Sequence, residues 1–294
     1  MSASKRNYVV ALLLETPPTA ADLAECFPGL TAAEDELSLA GFLGDSETAR
    51  LVVETLPHPW PDSTDLHDRS AEEFGLGTEP WGLQRSLEQC WVWDTASAAV
   101  SRHQAVVRVR RESTGAEGGV LDTPQVTARD MTQLIRKVLA AATLPGVLAY
   151  FQPAGEVLLP PHVVAEMLEH ATIAQIPPLD LWSNIRLSWL TDDWSLVETI
   201  GNIQLGLPDV EVYYEHDRQE TNDVAALARS VSLRMLQEES APKTGESFET
   251  HAGGRFVVKA TNENLLPPNR PIARLLPEDG GELPEDLARR LGLG

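Results

Sequence analysis

The chain has little cysteine and few basic residues for its length. Its 294 residues include two cysteines, Cys26 and Cys90, and 23 Lys and Arg against 44 Asp and Glu, a formal net charge of −21. Two cysteines cannot build a disulfide framework, so we expect a reducing, cytoplasmic compartment. The excess negative charge repels phosphate backbones and anionic lipid, which argues against nucleic-acid and membrane-surface roles.

Long hydrophobic runs are also missing. The apolar run 8–14 has seven residues and ends at Glu15, whereas a membrane-spanning helix needs about 20 apolar residues. Pro17 and Pro18 follow in place of a small-residue cleavage site, so the run predicts a buried first strand rather than a signal peptide. The content of 43% hydrophobic and 23% charged residues is that of a folded globular protein.

The strong sequence signatures of catalysis and cofactor binding are absent too. The chain has no G-x-S-x-G nucleophile elbow and no phosphate-binding glycine loop with its lysine. Neither cysteine has a histidine beside it in sequence, so a cysteine–histidine pair could form only through folding. We therefore predict no catalytic residue and no cofactor, and the sequence does not set an oligomeric state.

Hydrophobic periodicity predicts an α+β fold in two halves. In the first half, 1–112, the elements follow the β-α-β-β-α-β order of a ferredoxin-like fold. The second half, 124–260, has helices at 127–142 and 221–238 around several strand-like runs. The alternative is one continuous, mainly antiparallel sheet with helices packed on one face.

The composition changes near the end of the chain. Residues 261–294 are rich in proline and glycine and contain no aromatic side chain. This composition predicts a C-terminal tail that is either disordered or docked along its own domain, and such a tail could serve as a docking peptide.

Two groups of polar residues have the donor types of a divalent-metal site. The first lies in the loop sequence DSTDLHD and consists of Asp62, Asp65, His67 and Asp68. In the second, His162 and Glu166 are four residues apart on one face of a predicted helix. His170 lies eight residues after His162, about 12 Å along the helix axis, so the two histidines cannot bind one ion.

The most locally specified stretch is 199–220, TIGNIQLGLPDVEVYYEHDRQE. Two glycines and a proline indicate a tight turn, and the alternation after it places Val210, Val212 and Tyr214 on one side of a strand and Glu211 on the other. We expect two places to contact a partner. One is the acidic end of this stretch, and the other is Trp60, which lies between two prolines. The candidate contact residues are Trp60, Glu211, Glu215 and His216.

Several short motifs resemble those of a known bacterial family. They are ETIGNIQLGLPDVEV (198–212), PHPWPDSTDL (57–66), His103-Gln104-Ala105, Pro145-Gly146-Val147 and Leu181-Trp182. In this order they resemble the family described as domain of unknown function 4261, over roughly residues 8–260. The resemblance implies a shared fold. It implies no catalytic residues, because the family has no established active site.

Three functions follow as hypotheses. We favour a non-enzymatic, acidic, cytosolic binding protein with a basic protein partner, such as an immunity-type protein from a defence locus. The first alternative is a metal-dependent hydrolase that uses one of the two His/carboxylate groups. The second is a structural or cargo component that docks through the C-terminal tail.

Overall fold

The computed structural model describes residues 7–32, 38–42, 49–62, 74–75, 78–113, 123–261, 263–278 and 283–292. The chain is divided into two units, Met1–Ser183 and Asn184–Gly294, and each has its own sheet. Helices and mainly antiparallel sheets occur in both units, so the predicted α+β class is confirmed.

The first unit is built on a seven-stranded antiparallel sheet. Its strands are β1 (Tyr8–Leu14), β2 (Thr31–Ala32), β3 (Ser38–Phe42), β4 (Ala49–Leu56), β5 (Ala105–Ser113), β6 (Val147–Gln152) and β7 (Val157–Leu159). They lie in the order β2-β3-β4-β5-β1-β6-β7. All seven residues of β1 are buried, as its unbroken apolar run predicts.

Helices cover both faces of this sheet. They are α1 (Ala20–Cys26), α2 (Gly82–Glu88), α3 (Ala96–Val100), α4 (Pro124–Ala141) and α5 (Pro161–Ala174). On one face of β1, the Tyr8 hydroxyl lies 3.3 Å from Thr127 Oγ1 of α4. On the other face, Leu13 packs in one apolar cluster with Leu83 of α2 and Val100 of α3. Helices on one face alone, as predicted, would leave half of the apolar side chains of β1 exposed to water.

The strand order differs from the ferredoxin-like order that the element sequence suggests. A split β-α-β unit returns its second strand parallel to the first with one strand between them. Here β3 is separated from β1 by both β4 and β5 and runs antiparallel to it. Strands that follow one another in chain order, β3, β4 and β5, pair with each other, although about 50 residues and the helices α2 and α3 separate β4 from β5.

The boundary between the units also differs from the predicted one. Strand β6 pairs with β1, with Leu12 opposite Tyr150, so residues after 124 complete the first sheet. A central strand has hydrogen-bonding groups on both edges, and β1 finds its two partners in β5 and β6. The first unit therefore extends to Ser183.

The second unit contains a six-stranded sheet. Its strands are β8 (Asn184–Trp189), β9 (Trp194–Ile200), β10 (Asp209–Glu215), β11 (Ser247–Glu249), β12 (Arg255–Thr261) and β13 (Ile272–Pro277), in the order β11-β12-β13-β10-β9-β8. Helix α6 (Thr221–Glu238) packs on β9 and β10, where the Tyr214 hydroxyl lies 2.8 Å from Thr221 Oγ1. Tyr213 faces the other way and packs with Leu287 of α7 (Glu285–Arg290). The predicted alternation of β10 is confirmed.

Strand β13 corrects the prediction of a C-terminal tail over 261–294. It lies inside the sheet and pairs with β12 on one side and with β10 on the other. Pro271 precedes the strand and Pro277 is its last residue, so the two prolines flank the ladder and do not interrupt it. The high proline content of the segment marks the ends of a buried strand.

Deletion of residues 261–294 is expected to abolish folding of the second unit. The deletion removes β13 and exposes the ladder edges of β10 and β12. It also leaves two buried carboxylates of β10, Asp209 and Glu211, without their arginine partners. Urea denaturation followed by circular dichroism should show that the cooperative transition of this unit is lost. A truncated chain with the parent transition would contradict this role of β13.

Candidate functional site

A network of buried charged side chains lies on the face of the second sheet opposite α6. Its members are at most 5% exposed and are Arg186, Glu198, Asp209, Glu211, Arg270 and Arg274. Three carboxylates meet three guanidinium groups, so the formal charges of the network cancel. A balanced set of this kind can be buried, whereas an isolated charge could not.

Strand register places four of these side chains in one row. Arg186 on β8 lies opposite Glu198 on β9, Glu198 lies opposite Glu211 on β10, and Glu211 lies opposite Arg274 on β13. The two carboxylates in the middle repel each other. The outer arginines offset that repulsion: Arg186 Nη2 is 2.6 Å from Glu198 Oε1, and Arg274 Nε is 3.2 Å from Glu211 Oε2.

Arg270 connects this row to Asp209. Its Nη2 donates to Glu198 Oε2 at 2.5 Å, and its Nε lies 3.0 Å from Asp209 Oδ2. The second oxygen of Glu211 accepts from the backbone N–H of Leu265 at 2.9 Å. Because the protein's own donors occupy these oxygens, the network is a structural element, and Glu211 is not a surface contact as the sequence interpretation had it.

The turn before β10 is folded around the Asp209 carboxylate. That carboxylate accepts from Thr199 Oγ1 at 3.0 Å and from the backbone N–H groups of Gly201 and Asn202 at 3.3 and 3.0 Å. Gly201 has a φ of 121°, in the region that favours glycine. The start of the stretch 199–220 is therefore shaped by the hydrogen bonds that one buried carboxylate requires.

Burial sets the electrostatics of the network. It raises the pKa of Asp209, although Arg270 and the three donors of the turn oppose the shift. Burial likewise raises the pKa of Glu211, against the N–H of Leu265 and the Arg274 cation. Burial alone would lower the pKa of Arg270, but the Asp209 and Glu198 carboxylates outweigh it and raise that pKa.

Just after the end of β10, His216 lies beside an exposed aromatic side chain. Trp189, at the end of edge strand β8, is 69% exposed, and its ring lies edge-on to His216 with 4.4 Å between centroids. The imidazole is held from behind by Ser195, whose Oγ lies 2.6 Å from Nε2. Ser195 is fully buried and cannot reach a substrate, so this pair orients the imidazole and does not form a nucleophile.

Exposed acidic residues lie in the loops next to this aromatic pair. The turn between β8 and β9 carries Asp192 and Asp193, and the backbone N–H of His216 donates to the Asp193 carbonyl at 3.0 Å. After β10 the chain adds two more exposed acids, Asp217 and Glu220. We call the set formed by Trp189, Asp192, Asp193, His216, Asp217 and Glu220 the Trp189 surface.

Glu215 lies at the border of this surface and has a different environment. Its carboxylate pairs with Arg218 at 2.5 Å. Both residues line a cavity of about 240 Å³, together with Trp194, Arg255 and Phe256. Glu215 is thus engaged by a cation of the chain itself, which makes it a weaker partner contact than the neighbouring acids.

The metal candidates that the structure describes do not form a metal site. Asp62 accepts from the backbone N–H groups of Leu83 and Gln84 at 3.1 and 2.8 Å, so its carboxylate caps helix α2. Its loop neighbours Asp65, His67 and Asp68 lie outside the described residues. His162 and Glu166 are exposed on α5, and within the described part of the chain no three His, Cys, Asp or Glu residues could hold a metal ion.

Trp60 is a core residue, which corrects its interpretation as an exposed contact. It is 4% exposed and its ring packs edge-on against Phe74 and Phe151 at centroid distances of 5.4 and 5.2 Å. Its backbone N–H donates to His103 Nε2 at 3.0 Å, and Cys90 Sγ is bonded elsewhere, to the Leu158 carbonyl. A cysteine–histidine pair is therefore not formed by these two residues.

The buried arginines of the charge network, which sequence reasoning missed, carried a usable signal. Arg186 and Arg274 each interrupt an otherwise apolar or alternating strand, and a charge at a core-facing position indicates a buried ion pair. Trp189 carried no such signal, because its exposure depends on β8 being an edge strand.

Comparisons of the chain with protein-family models, curated proteins and solved structures find no match. The resemblance to the family described as domain of unknown function 4261 therefore stays an expectation. Among the described helices none combines the length and the apolar character needed to cross a membrane.

Replacement of Arg270 by methionine is expected to lower the free energy of unfolding of the second unit by about 3–5 kcal/mol, because Glu198 and Asp209 would remain buried without that cation. Arg289→Met, which removes an exposed partner of Asp286, is the matched control and should cost less than about 0.5 kcal/mol. Urea denaturation of both variants measures the difference. Equal effects would show that the network does not hold the sheet.

The loss in free energy of unfolding caused by Arg270→Met should depend on pH, and the direction of this dependence can be predicted. Burial already raises the pKa of Asp209, and loss of the cation raises it further. The folded variant then keeps a proton that the unfolded chain has released, so its stability falls as pH rises. The difference in stability from the parent protein should therefore shrink as the pH is lowered. A loss of stability that grows as the pH is lowered would contradict the role given to Asp209.

Proposed function

We propose that the protein is a non-catalytic binding protein that captures a basic protein partner. The observation that carries this proposal is how charge is divided between interior and surface. Five of the 23 basic residues are buried in the described core, but only four of the 44 acidic residues are. Among the described residues the buried set thus has slightly more basic than acidic side chains, so the core does not hide the acidic excess of the sequence.

A surface with this imbalance acts on partners at a distance. It steers cationic proteins toward it and accelerates their association, and the effect weakens as salt screens the charges. The same field disfavours nucleic acid and anionic lipid, whose phosphates it repels. A small basic protein, such as a toxin held by an immunity-type inhibitor, has the matching charge.

The Trp189 surface has the chemistry of a contact site for such a partner. An exposed indole can stack against an arginine guanidinium or a lysine ammonium group, and tryptophan is enriched among residues that dominate binding energy. The exposed residues Asp192, Asp193, Asp217 and Glu220 supply carboxylates in the adjoining loops. The imidazole of His216 and the backbone bond from His216 to Asp193 hold the two loops together.

Capture from a lysate of the native host tests the proposal. The immobilised protein should retain a basic protein, and the affinity of the purified pair should fall as salt rises, because screening weakens charge attraction. Trp189→Ala should weaken the complex about tenfold without changing the salt dependence. Trp91→Ala, which removes a 62% exposed tryptophan from the first unit, is the matched control and should bind as the parent does.

Two results would count against the proposal in different ways. Absence of any basic partner, or an affinity that does not change with salt, would reject the function itself. A basic partner whose affinity is lowered by Trp91→Ala and not by Trp189→Ala would keep the function and reject the Trp189 surface as its contact site.

A further inference from the structure

A concave groove lies in the first unit, between α5 and the chain that follows it. Its volume is about 370 Å³, within the range of small-molecule sites. Met167 contributes to one wall from α5, while Ile176 and Leu181 contribute from the segment after the helix. The groove shares no residue with the Trp189 surface or with the buried charge network.

The local sequence makes this groove a fixed shape. Helix α5 ends at Gln175 in a left-handed conformation, with φ 54°, and the backbone N–H of Ile176 returns to the Ala171 carbonyl at 3.0 Å. The next two residues are Pro177 and Pro178, whose rings fix their backbone φ angles. Leu181, at the end of the segment, is buried, and its carbonyl accepts from the Tyr150 hydroxyl at 2.8 Å. The walls are therefore held in place without a ligand.

The polar lining has one sign of charge. Glu166 lines the groove from α5 and Asp180 lines it from the opposite segment, with His170 one helical turn beyond Glu166. Among the described residues no lysine or arginine lines the groove. The sequence itself has no lysine or arginine between Lys137 and Arg186.

Apolar surface continues from the groove to solvent. Ile176 is 42% exposed and Ile173, on the last turn of α5, is 75% exposed. Large aliphatic side chains gain stability from leaving water, so a ligand that covers them recovers hydrophobic free energy. A ligand that satisfies both features carries a positive charge for the carboxylates and an apolar body for the isoleucine, methionine and proline walls.

We infer that this groove binds a small organic cation with an apolar body, of the arylalkylammonium class. The ammonium group lies between Glu166 and Asp180, and the hydrocarbon part lies against Met167, Ile176 and Pro177. A neutral or anionic molecule of the same shape lacks the attraction of the two carboxylates. The inference concerns a site on the first unit and does not depend on the proposed protein partner.

Methionine methyl groups give a direct test. The chain has four methionines, and two of them, Met131 and Met235, are buried and serve as internal references. With ¹³C-methyl-labelled methionine, the Met167 signal, assigned by its loss in Met167→Leu, should shift saturably with 4-phenylbutylammonium. The reference signals should not move. 4-Phenylbutanol and 4-phenylbutyrate, of equal length, should bind more weakly or not at all.

Matched substitutions test the role of the carboxylates. Glu166→Gln and Asp180→Asn should each weaken 4-phenylbutylammonium binding by about threefold or more, because each removes one partner of the cation. Glu169→Gln removes the same charge from the same helix but outside the groove and should leave the affinity unchanged. The inference is overturned if the Met167 signal does not move, if the alcohol binds as tightly as the ammonium ion, or if Glu169→Gln weakens binding as much as Glu166→Gln.

Discussion

The ion pairs of Glu198 with Arg186 and Arg270 are the constraint on which the second unit depends. The Glu198 carboxylate has no exposed surface and lies on the strand next to the edge strand β8, so it must find cations inside the protein. One of them comes from 72 residues further along the chain. Buried ion pairs add little net stability, but removing one partner is costly. Their main effect is therefore to select one arrangement of strands and to penalise the others.

That selection extends to the register of β13. A shift of one residue would turn Arg274 to the face that packs on α6 and would leave Glu211 beside Glu198 without its cation. The turn before β10 depends on the same network. The N–H groups of Gly201 and Asn202 donate to the buried Asp209 carboxylate, and these bonds fix where β10 begins. With β10 fixed at its start, its far end delivers His216 to a defined place beside Trp189. The buried network thus positions a surface that it does not touch.

Local sequence patterns predicted the individual helices and strands well, but they did not predict which strands pair with each other. The apolar run of β1, the amphipathic helices α4 and α6, and the alternation of β10 could be read from periodicity because each depends on residues close in the chain. Strand order, the insertion of β13 and the partners of Glu198 depend on residues far apart. Trp60 shows the limit: its flanking prolines suggested exposure, but long-range packing against Phe74 and Phe151 buries it.

The two surfaces proposed to bind ligands share a sign of charge but differ in shape, and shape decides what each can accept. Trp189 presents a protruding indole on an edge strand, which suits a planar guanidinium on a partner protein that can reach several carboxylates at once. The groove beside α5 is concave, and its volume of about 370 Å³ matches a small molecule with an apolar stem. Because acidic surface is abundant on this chain, charge alone selects neither ligand. Discrimination between cations has to come from the apolar groups that lie between the carboxylates.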